Sequence, residues 1–167
     1  EYYGPGLASL TAMDRHVIAN MGTELGATSS LFPSDLQTYK FLFQNERADD
    51  YMPLCTPERA SFEHHDEIDL STIEPMIALP SSPDNVVPVR EVKGTPIHQA
   101  YIGSSANPAW RDFAISARML EGKTIAPHVS FDINPSTRRV LTNLIATGDL
   151  NALLMAGGRL HQTGCNG

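Results

Sequence analysis

Twice in succession, the second half of this chain places a strand-length apolar stretch directly before a helical pattern. The first pair is QAYIGSS (99–105) and a helix that opens at Asn107-Pro108; the second is PHVSFDI (127–133) and a helix that opens at Asn134-Pro135. Asparagine at the N-cap with proline at the first helical position is a specific helix-start signal. Strands that alternate with helices predict a parallel sheet. We therefore expect an α/β fold, a doubly wound three-layer α/β/α arrangement with a mostly parallel sheet.

Polar loops flanked by glycine follow two strands of this predicted sheet. GSSAN (103–107) comes after the first strand, and TGCNG (163–167) comes after a presumed last strand at 159–162, beyond a short helix that begins at Asp149. The carboxyl ends of parallel strands meet at one edge of a sheet, where α/β proteins place their working groups. We expect the two loops to face the same crevice.

The first half of the chain shows a weaker pattern. Apolar residues at three- and four-residue steps predict a helix over 8–21, and Ser34-Asp35 is suited to cap a second one. Short strands are expected at 27–32, near 67–70 and near 75–79.

A proline-rich segment marks the best boundary in the sequence. LPSSPDNVVPV (79–89) holds three prolines, which are not expected inside a regular element. We expect residues 1–80 to be the C-terminal part of one α/β domain, and residues 81–167 to be the N-terminal part of the next.

Composition narrows the function classes. The formal net charge is -7 and the 12 Lys and Arg residues are scattered, which argues against nucleic-acid binding. No apolar run approaches the roughly 18 residues that a membrane span needs, so we expect no membrane association. Two cysteines, Cys55 and Cys165, are sparse usage that fits a reducing compartment, and we expect a cytoplasmic location.

From the residues alone, the chemistry stays open. Cys165 is a candidate nucleophile, metal ligand or cluster ligand, but a lone cysteine is more often a small buried apolar residue. The adjacent Gly164 permits the close backbone approach that a bound inorganic group demands. GSSAN (103–107) is suited either to hold an anion at a helix N-terminus or to form an ordinary capped turn.

Three stretches together resemble the aconitase superfamily, and are most similar to the bacterial mitochondrial-type aconitate hydratases. They are residues 1–35, 101–117 and 159–167. The most specific pieces are NMGTE (20–24), with GATS (26–29) after it, and the terminal GCNG (164–167). Their order and spacing agree with the family over almost the whole chain.

The resemblance implies a [4Fe-4S] cluster held by three cysteines, one in a Gly-Ser-Cys loop and two in a Cys-x-x-Cys loop. Cys165 matches the first cysteine of that pair, and the second would follow Gly167, so the chain resembles an internal piece of a longer enzyme. The third ligand position falls on Ser105, whose hydroxyl is a far poorer iron ligand than a thiolate. We expect the cluster in the longer parent and no cofactor in this piece alone.

The reaction implied by the resemblance is the isomerisation of citrate to isocitrate through cis-aconitate. Asn20 would hydrogen-bond near the cluster, and Glu24 would orient the reacting hydroxyl or water. The family's serine base and its substrate-binding arginines have no matching positions here. We expect a small tricarboxylate as the substrate, and activity only together with the missing domains of the same chain.

Two alternatives remain. One is a large-subunit-like piece of an isopropylmalate or homoaconitate isomerase, which shares the scaffold. The other is a non-catalytic α/β module that binds a small anion at GSSAN (103–107), with Cys165 incidental.

Overall fold

Two compact units make up the chain in this computed structural model, residues 1–93 and residues 94–167. The structure describes residues 1–107 and 109–165. None of the helices in these ranges has the length and apolar character that a bilayer crossing requires. The expected assignment of 1–80 and 81–167 to parts of two adjacent aconitase-type domains stays a prediction.

The first unit consists of two helices, one hairpin and several 3-10 turns. The helices are α1 (Ala12–Met21) and α2 (Leu36–Gln44), and the antiparallel hairpin pairs β1 (Met76–Ala78) with β2 (Val86–Pro88). The 3-10 turns lie at Pro5–Ser9, Ala48–Asp50, Leu70–Thr72 and Val89–Val92.

Side-chain caps start both helices. The Thr11 hydroxyl accepts from the Asp14 amide at 3.2 Å and the Asp14 carboxylate accepts from the Thr11 amide at 2.9 Å, which is a capping box. Asp35 caps α2 by accepting from the amides of Gln37 and Thr38, as the sequence predicted. The helix predicted over 8–21 begins later, at the residue after its cap.

Two strands predicted in this unit were wrong. Residues 27–32 form no strand: the Tyr2 amide donates to the Leu31 carbonyl at 2.9 Å, but this single bond does not make a strand ladder, and Leu31 is 59% exposed. Near 67–70, the Asp69 carboxylate instead accepts from the Ser71 amide at 2.9 Å and starts a 3-10 turn. The proline-rich segment is also more regular than expected, since Pro88 ends an edge strand where no amide donor is needed.

The best-buried side chain of the first unit is a cation. Arg15 is 4% exposed, and its guanidinium donates to both carboxylate oxygens of Asp35 at 3.0 and 2.6 Å. It also donates to the carbonyl oxygens of Pro33 at 3.1 Å and Leu7 at 2.7 Å. The guanidinium holds the pKa of Asp35 below its usual range. Arg15 therefore ties the N-terminal turn, α1 and the start of α2 together.

The second unit is a parallel sheet with helices, so the predicted α/β class and parallel sheet are confirmed. The strands β3 (Gln99–Gly103), β4 (Ser130–Asn134) and β5 (Gly158–Leu160) are ordered β3-β4-β5. The helices are α3 (Trp110–Leu120), α4 (Arg138–Thr147) and α5 (Asp149–Met155). Register places Ile102 beside Ile133, and Ile133 beside Leu160.

Two predicted helix starts were wrong and one was right. α5 begins at Asp149 as expected. α4 begins at Arg138, because the Thr137 hydroxyl accepts from the Val140 amide, and Asn134 is the last residue of β4. α3 begins at Trp110 rather than at Asn107; the other half of that start signal, Pro108, lies outside the described residues.

The helices pack on one face of the sheet and on each other. Phe113, Leu144 and Leu153 are fully buried against Phe131 and Ile133 of the central strand. Each such side chain contributes roughly 1.5–3 kcal/mol through burial. Among the described residues of this unit, the fold is thus a sheet with one helical layer, which is part of the expected three-layer arrangement.

The opposite face of the sheet is polar, and a buried carboxylate organises it. Asp132 is 1% exposed and accepts from Gln99 at 2.7 Å, from Arg159 Nε at 3.0 Å and from Ser130 at 3.2 Å, while His161 Nε2 lies 2.8 Å from Oδ1. The bonds from Gln99 and His161 hold the pKa of Asp132 far below its usual range, against the effect of burial. All three strands are joined through this one side chain.

Removing the Arg15 charge should destabilise the first unit. We expect Arg15→Met to lower the free energy of unfolding by about 2–4 kcal/mol, because three acceptors lose their donor. Chemical denaturation measures the change. Arg47→Met is the matched control, since Arg47 and Asp50 form an exposed pair (side chains 65% and 54% exposed) and should cost less than about 1 kcal/mol. Equal losses in the two variants would contradict the assignment.

The sheet should lose stability in acid through Asp132. Its pKa is lowered by folding, so its contribution is complete above the unfolded carboxyl pKa of about 4 and is lost as the pH falls below that value. We expect Asp132→Asn to be less stable at pH 7 and to show a flatter loss below pH 4 in denaturation followed against pH. Asp69→Asn, at an exposed carboxylate bonded to Ser71, is the control for a surface site.

Candidate functional site

Two loops of the second unit meet at the carboxyl end of β4. The Ser104 amide, just after β3, donates to the Asn134 carbonyl at 3.3 Å. The Gly164 amide, in the loop after β5, donates to the carbonyl of Pro135 at 3.1 Å. The structure therefore brings the loops that carry Ser105 and Cys165 to two consecutive carbonyl groups, those of the last residue of β4 and of the residue after it.

The Asn134 side chain lies between these loops. It is fully buried and its Oδ1 accepts from the Tyr101 hydroxyl at 2.7 Å, while its Nδ2 donates to the Gln162 carbonyl. One amide group thus links β3 to the segment that leads into Cys165.

The backbone between β3 and the first loop is tightly constrained. Gly103 has φ 156°, and a Cβ there would lie 2.4 Å from the Cβ of Asn134, so only glycine fits. Ser104 has φ 130°, a conformation that residues with a side chain rarely adopt. Such a backbone persists only where the surrounding contacts impose it, which places the strain immediately before Ser105.

The donors at this edge are a thiol and a hydroxyl. Cys165 and Ser105 are both exposed, and Cys165 is a free thiol, as is Cys55 in the first unit. The described ranges contain no group of three or more His, Cys, Asp or Glu side chains arranged to hold a metal ion. The described residues therefore bring one thiol and one hydroxyl, and not three thiolates, to this edge.

The residues before Cys165 are held by the Asp132 network. The His161 amide donates to the Ile133 carbonyl at 2.8 Å, and its ring is anchored on Asp132 with its centroid 6.3 Å from that of Tyr101. Arg159 remains 65% exposed at its side chain although Asp132 binds it. The strand that delivers the cysteine loop is thus fixed on both its backbone and its side chains.

The anion-site interpretation of GSSAN (103–107) loses its main support. Because α3 begins at Trp110, the amides of this loop lie before the helix and do not form its first turn.

Asn20 and Glu24 lie in the first unit. Asn20 is the penultimate residue of α1, and the chain continues in a helical turn in which the Leu25 amide donates to the Met21 carbonyl at 3.3 Å. The two side chains are one helical turn apart and exposed, so they project from the same side of the helix end. Gly22 between them is buried, and a Cβ there would lie 2.4 Å from the Ser30 hydroxyl oxygen.

Five residues on the polar face of the sheet were not predicted from the sequence to lie together there. The signal was present as period-two alternation, with a polar residue at every second position of β3, β4 and β5. These residues are Tyr101, Asp132, Asn134, Arg159 and His161.

Comparison with known proteins places this architecture in a family. The model of the aconitase family (aconitate hydratase) matches residues 1–96 and 90–167. The chain is 37% identical to 3-isopropylmalate dehydratase large subunit 2 of Rubrobacter xylanophilus over 99% of its length, and 33% identical to the protein of that name from Archaeoglobus fulgidus over the same share. It is 35% identical to a probable methanogen homoaconitase large subunit of Methanosarcina mazei, again over 99%.

The chain covers 39%, 40% and 41% of the lengths of the Rubrobacter, Archaeoglobus and Methanosarcina proteins. The two matched segments of the family model, in contrast, take in every residue from 1 to 167. On this evidence the chain belongs to the aconitase family.

Proposed function

We propose that the polypeptide carrying this chain is a hydro-lyase that isomerises a hydroxy acid of the 3-isopropylmalate or homocitrate kind. The observation that carries the proposal is the match over 99% of the chain to large subunits with those names. These names favour the isopropylmalate or homoaconitate alternative over the citrate substrate expected from the sequence. They likewise give no support to a role in the tricarboxylic acid cycle.

A second polypeptide is part of this proposal. The similar proteins are named large subunits, so we propose a smaller subunit as the partner that completes the enzyme. The domains expected on the same chain remain part of the proposal, since this chain covers only 39–41% of the similar large subunits. Those domains and the smaller subunit are both places for the substrate-binding cations that have no matching positions in this acidic chain, whose net charge is -7.

Glu24 and Asn20 are the proposed catalytic residues. Removing water from a hydroxy acid breaks a C–H bond and a C–O bond, so a base takes the carbon-bound proton while the departing hydroxyl is held in position and given a proton. The Glu24 carboxyl group would orient the departing hydroxyl, and the Asn20 amide would hydrogen-bond beside it; neither is proposed as the base for the C–H proton. Their exposure, one helical turn apart at the end of α1, leaves both accessible to a ligand.

Cys165 and Ser105 are the proposed cofactor contacts, with Cys165 as the metal ligand. A [4Fe-4S] cluster with an open iron position supplies a Lewis acid for the departing hydroxyl. This chain brings one thiol and one hydroxyl to the sheet edge, so the remaining ligands of such a cluster would come from other residues of the whole polypeptide.

Substrate preference tests the proposal directly. The whole polypeptide, produced with its smaller subunit and reconstituted with iron and sulfide, should show a kcat/KM at least about 10-fold higher for 3-isopropylmalate or homocitrate than for citrate, since pocket shape distinguishes such substrates by about 1–3 kcal/mol. The ultraviolet absorbance of the unsaturated acid formed by dehydration reports turnover. A preference for citrate would refute the substrate assignment.

Glu24→Gln should separate chemistry from folding. Loss of the carboxyl group that orients the departing hydroxyl is expected to lower kcat by about 10²–10⁴ with little change in unfolding temperature. Glu58→Gln, at an exposed carboxylate in the same unit, is the matched control and should leave kcat unchanged. Unchanged turnover in Glu24→Gln removes that residue from the mechanism.

Replacing the hydroxyl donor by a thiol tests the cofactor contact. We expect Ser105→Cys in the whole polypeptide to retain more iron per chain after gel filtration, because thiolate binds iron far better than a neutral hydroxyl. Iron and sulfide analysis measures the retention. Ser104→Cys, one residue earlier in the same loop, is the control. Equal iron contents for Ser105→Cys and the parent protein would show that residue 105 does not face the cofactor.

A further inference from the structure

We propose that Asn134 is a positioning residue which, together with Tyr101, sets the loop that carries Ser105 and the loop that carries Cys165 in a fixed relation. The proposal rests on the proposed function only in treating these loops as the ligand-bearing ones. Its physical content, a mechanical coupling of two loops through one buried amide, does not depend on any cofactor.

The contacts of Asn134 point to this role. Its backbone carbonyl accepts from Ser104, and its side chain is bonded to the Tyr101 hydroxyl on one side and to the Gln162 carbonyl on the other. The following carbonyl, of Pro135, accepts from Gly164. Within two residues, the end of β4 thus contacts both neighbouring strands and both loops.

Burial strengthens the inference. Asn134 is 0% exposed, and a buried amide is tolerated only when both its donor and its acceptor are used. An apolar residue would satisfy a purely packing role in the central strand, as Ile133 does one position earlier. Asparagine adds a donor and an acceptor aimed in opposite directions across the sheet, which is the geometry that a bridge between two loops requires.

The backbone of the first loop runs closely against the backbone and Cβ of Asn134. Gly103 approaches Asn134 so closely that any side chain there would overlap it, and Ser104 is held at φ 130°. A loop pressed into such a conformation moves when the contact that imposes it is released. The Tyr101 hydroxyl, on the strand that leads into this loop, is the contact that is most simply removed.

Tyr101→Phe in the whole polypeptide is the primary test, because it deletes one hydroxyl and keeps the ring. Site-resolved hydrogen exchange reads the amides of Ser104 and Gly164, one in each loop. We expect both to exchange about fivefold faster, the factor equivalent to one hydrogen bond of about 1 kcal/mol. Amides inside α4 (Arg138–Thr147) should keep their rates. The response of Gly164 is decisive, because Tyr101 is linked to that loop through Asn134.

Three outcomes decide the proposal. Faster exchange at both loops with unchanged α4 rates supports it. Faster exchange at Ser104 alone overturns it, because the loops are then independent. A uniform acceleration that includes α4 also overturns it, since Tyr101 then serves general stability. Ser116→Ala removes a hydroxyl bonded to the Asp112 carbonyl within α3, and should alter neither loop.

Asn134→Asp gives a second, directional readout. Aspartate still accepts from Tyr101 but cannot donate to the Gln162 carbonyl when ionised. We expect faster exchange at Gly164 with a smaller change at Ser104, whereas equal changes at the two sites contradict the bridge. Because exchange is measured without iron, a parent protein that takes up no cluster would refute the cofactor proposal and leave this one standing.

Discussion

The hydrogen bonds of one buried amide define the carboxyl edge of the parallel sheet. Asn134 sits at the end of the central strand, where the flanking strands β3 and β5 each lead into a polar loop. Parallel strands bring their carboxyl ends to one edge, but they do not fix how far apart the following loops stand. The Asn134 side chain accepts from Tyr101 and donates to Gln162, and these two bonds constrain the spacing of the loops. The same bonds therefore constrain the positions of the candidate ligands on those loops.

The same sheet uses its two faces differently. On one face, Phe131 and Ile133 pack against the helical layer. On the other face, Asp132 is buried in a network of polar side chains. Four side chains satisfy that carboxylate, so its burial does not require a second layer of helices. The network also anchors Arg159 and His161, so the segment leading to Cys165 is held from the polar face of the sheet.

The sequence predicted the elements that depend on hydrophobic periodicity and missed those that depend on tertiary hydrogen bonds. The parallel strands, α5 and the Asp35 cap follow from local pattern and were found. Asn134 was taken for a helix cap because asparagine before proline is a common start signal, yet its amide is used across the sheet and Thr137 caps the helix instead. No local signal reports that competition. For Asp132, the alternation of polar residues along the strands is a local signal that places it on the polar face of the sheet, and that signal was not used.

The conformation of the first unit was harder to predict from the sequence than that of the sheet. Of residues 1–93, only Arg15 and Gly22 are buried, so apolar burial does not select its conformation as it does in the sheet. What selects it is the geometry of one guanidinium that reaches Asp35 and two carbonyl groups. Directional bonds of this kind depend on partners 8 to 20 residues away in the sequence. Hydrophobic periodicity does not predict such partners. Arg15 lies near the start of α1, so the helix that leads towards Glu24 is positioned by a cation and its ion pair with Asp35.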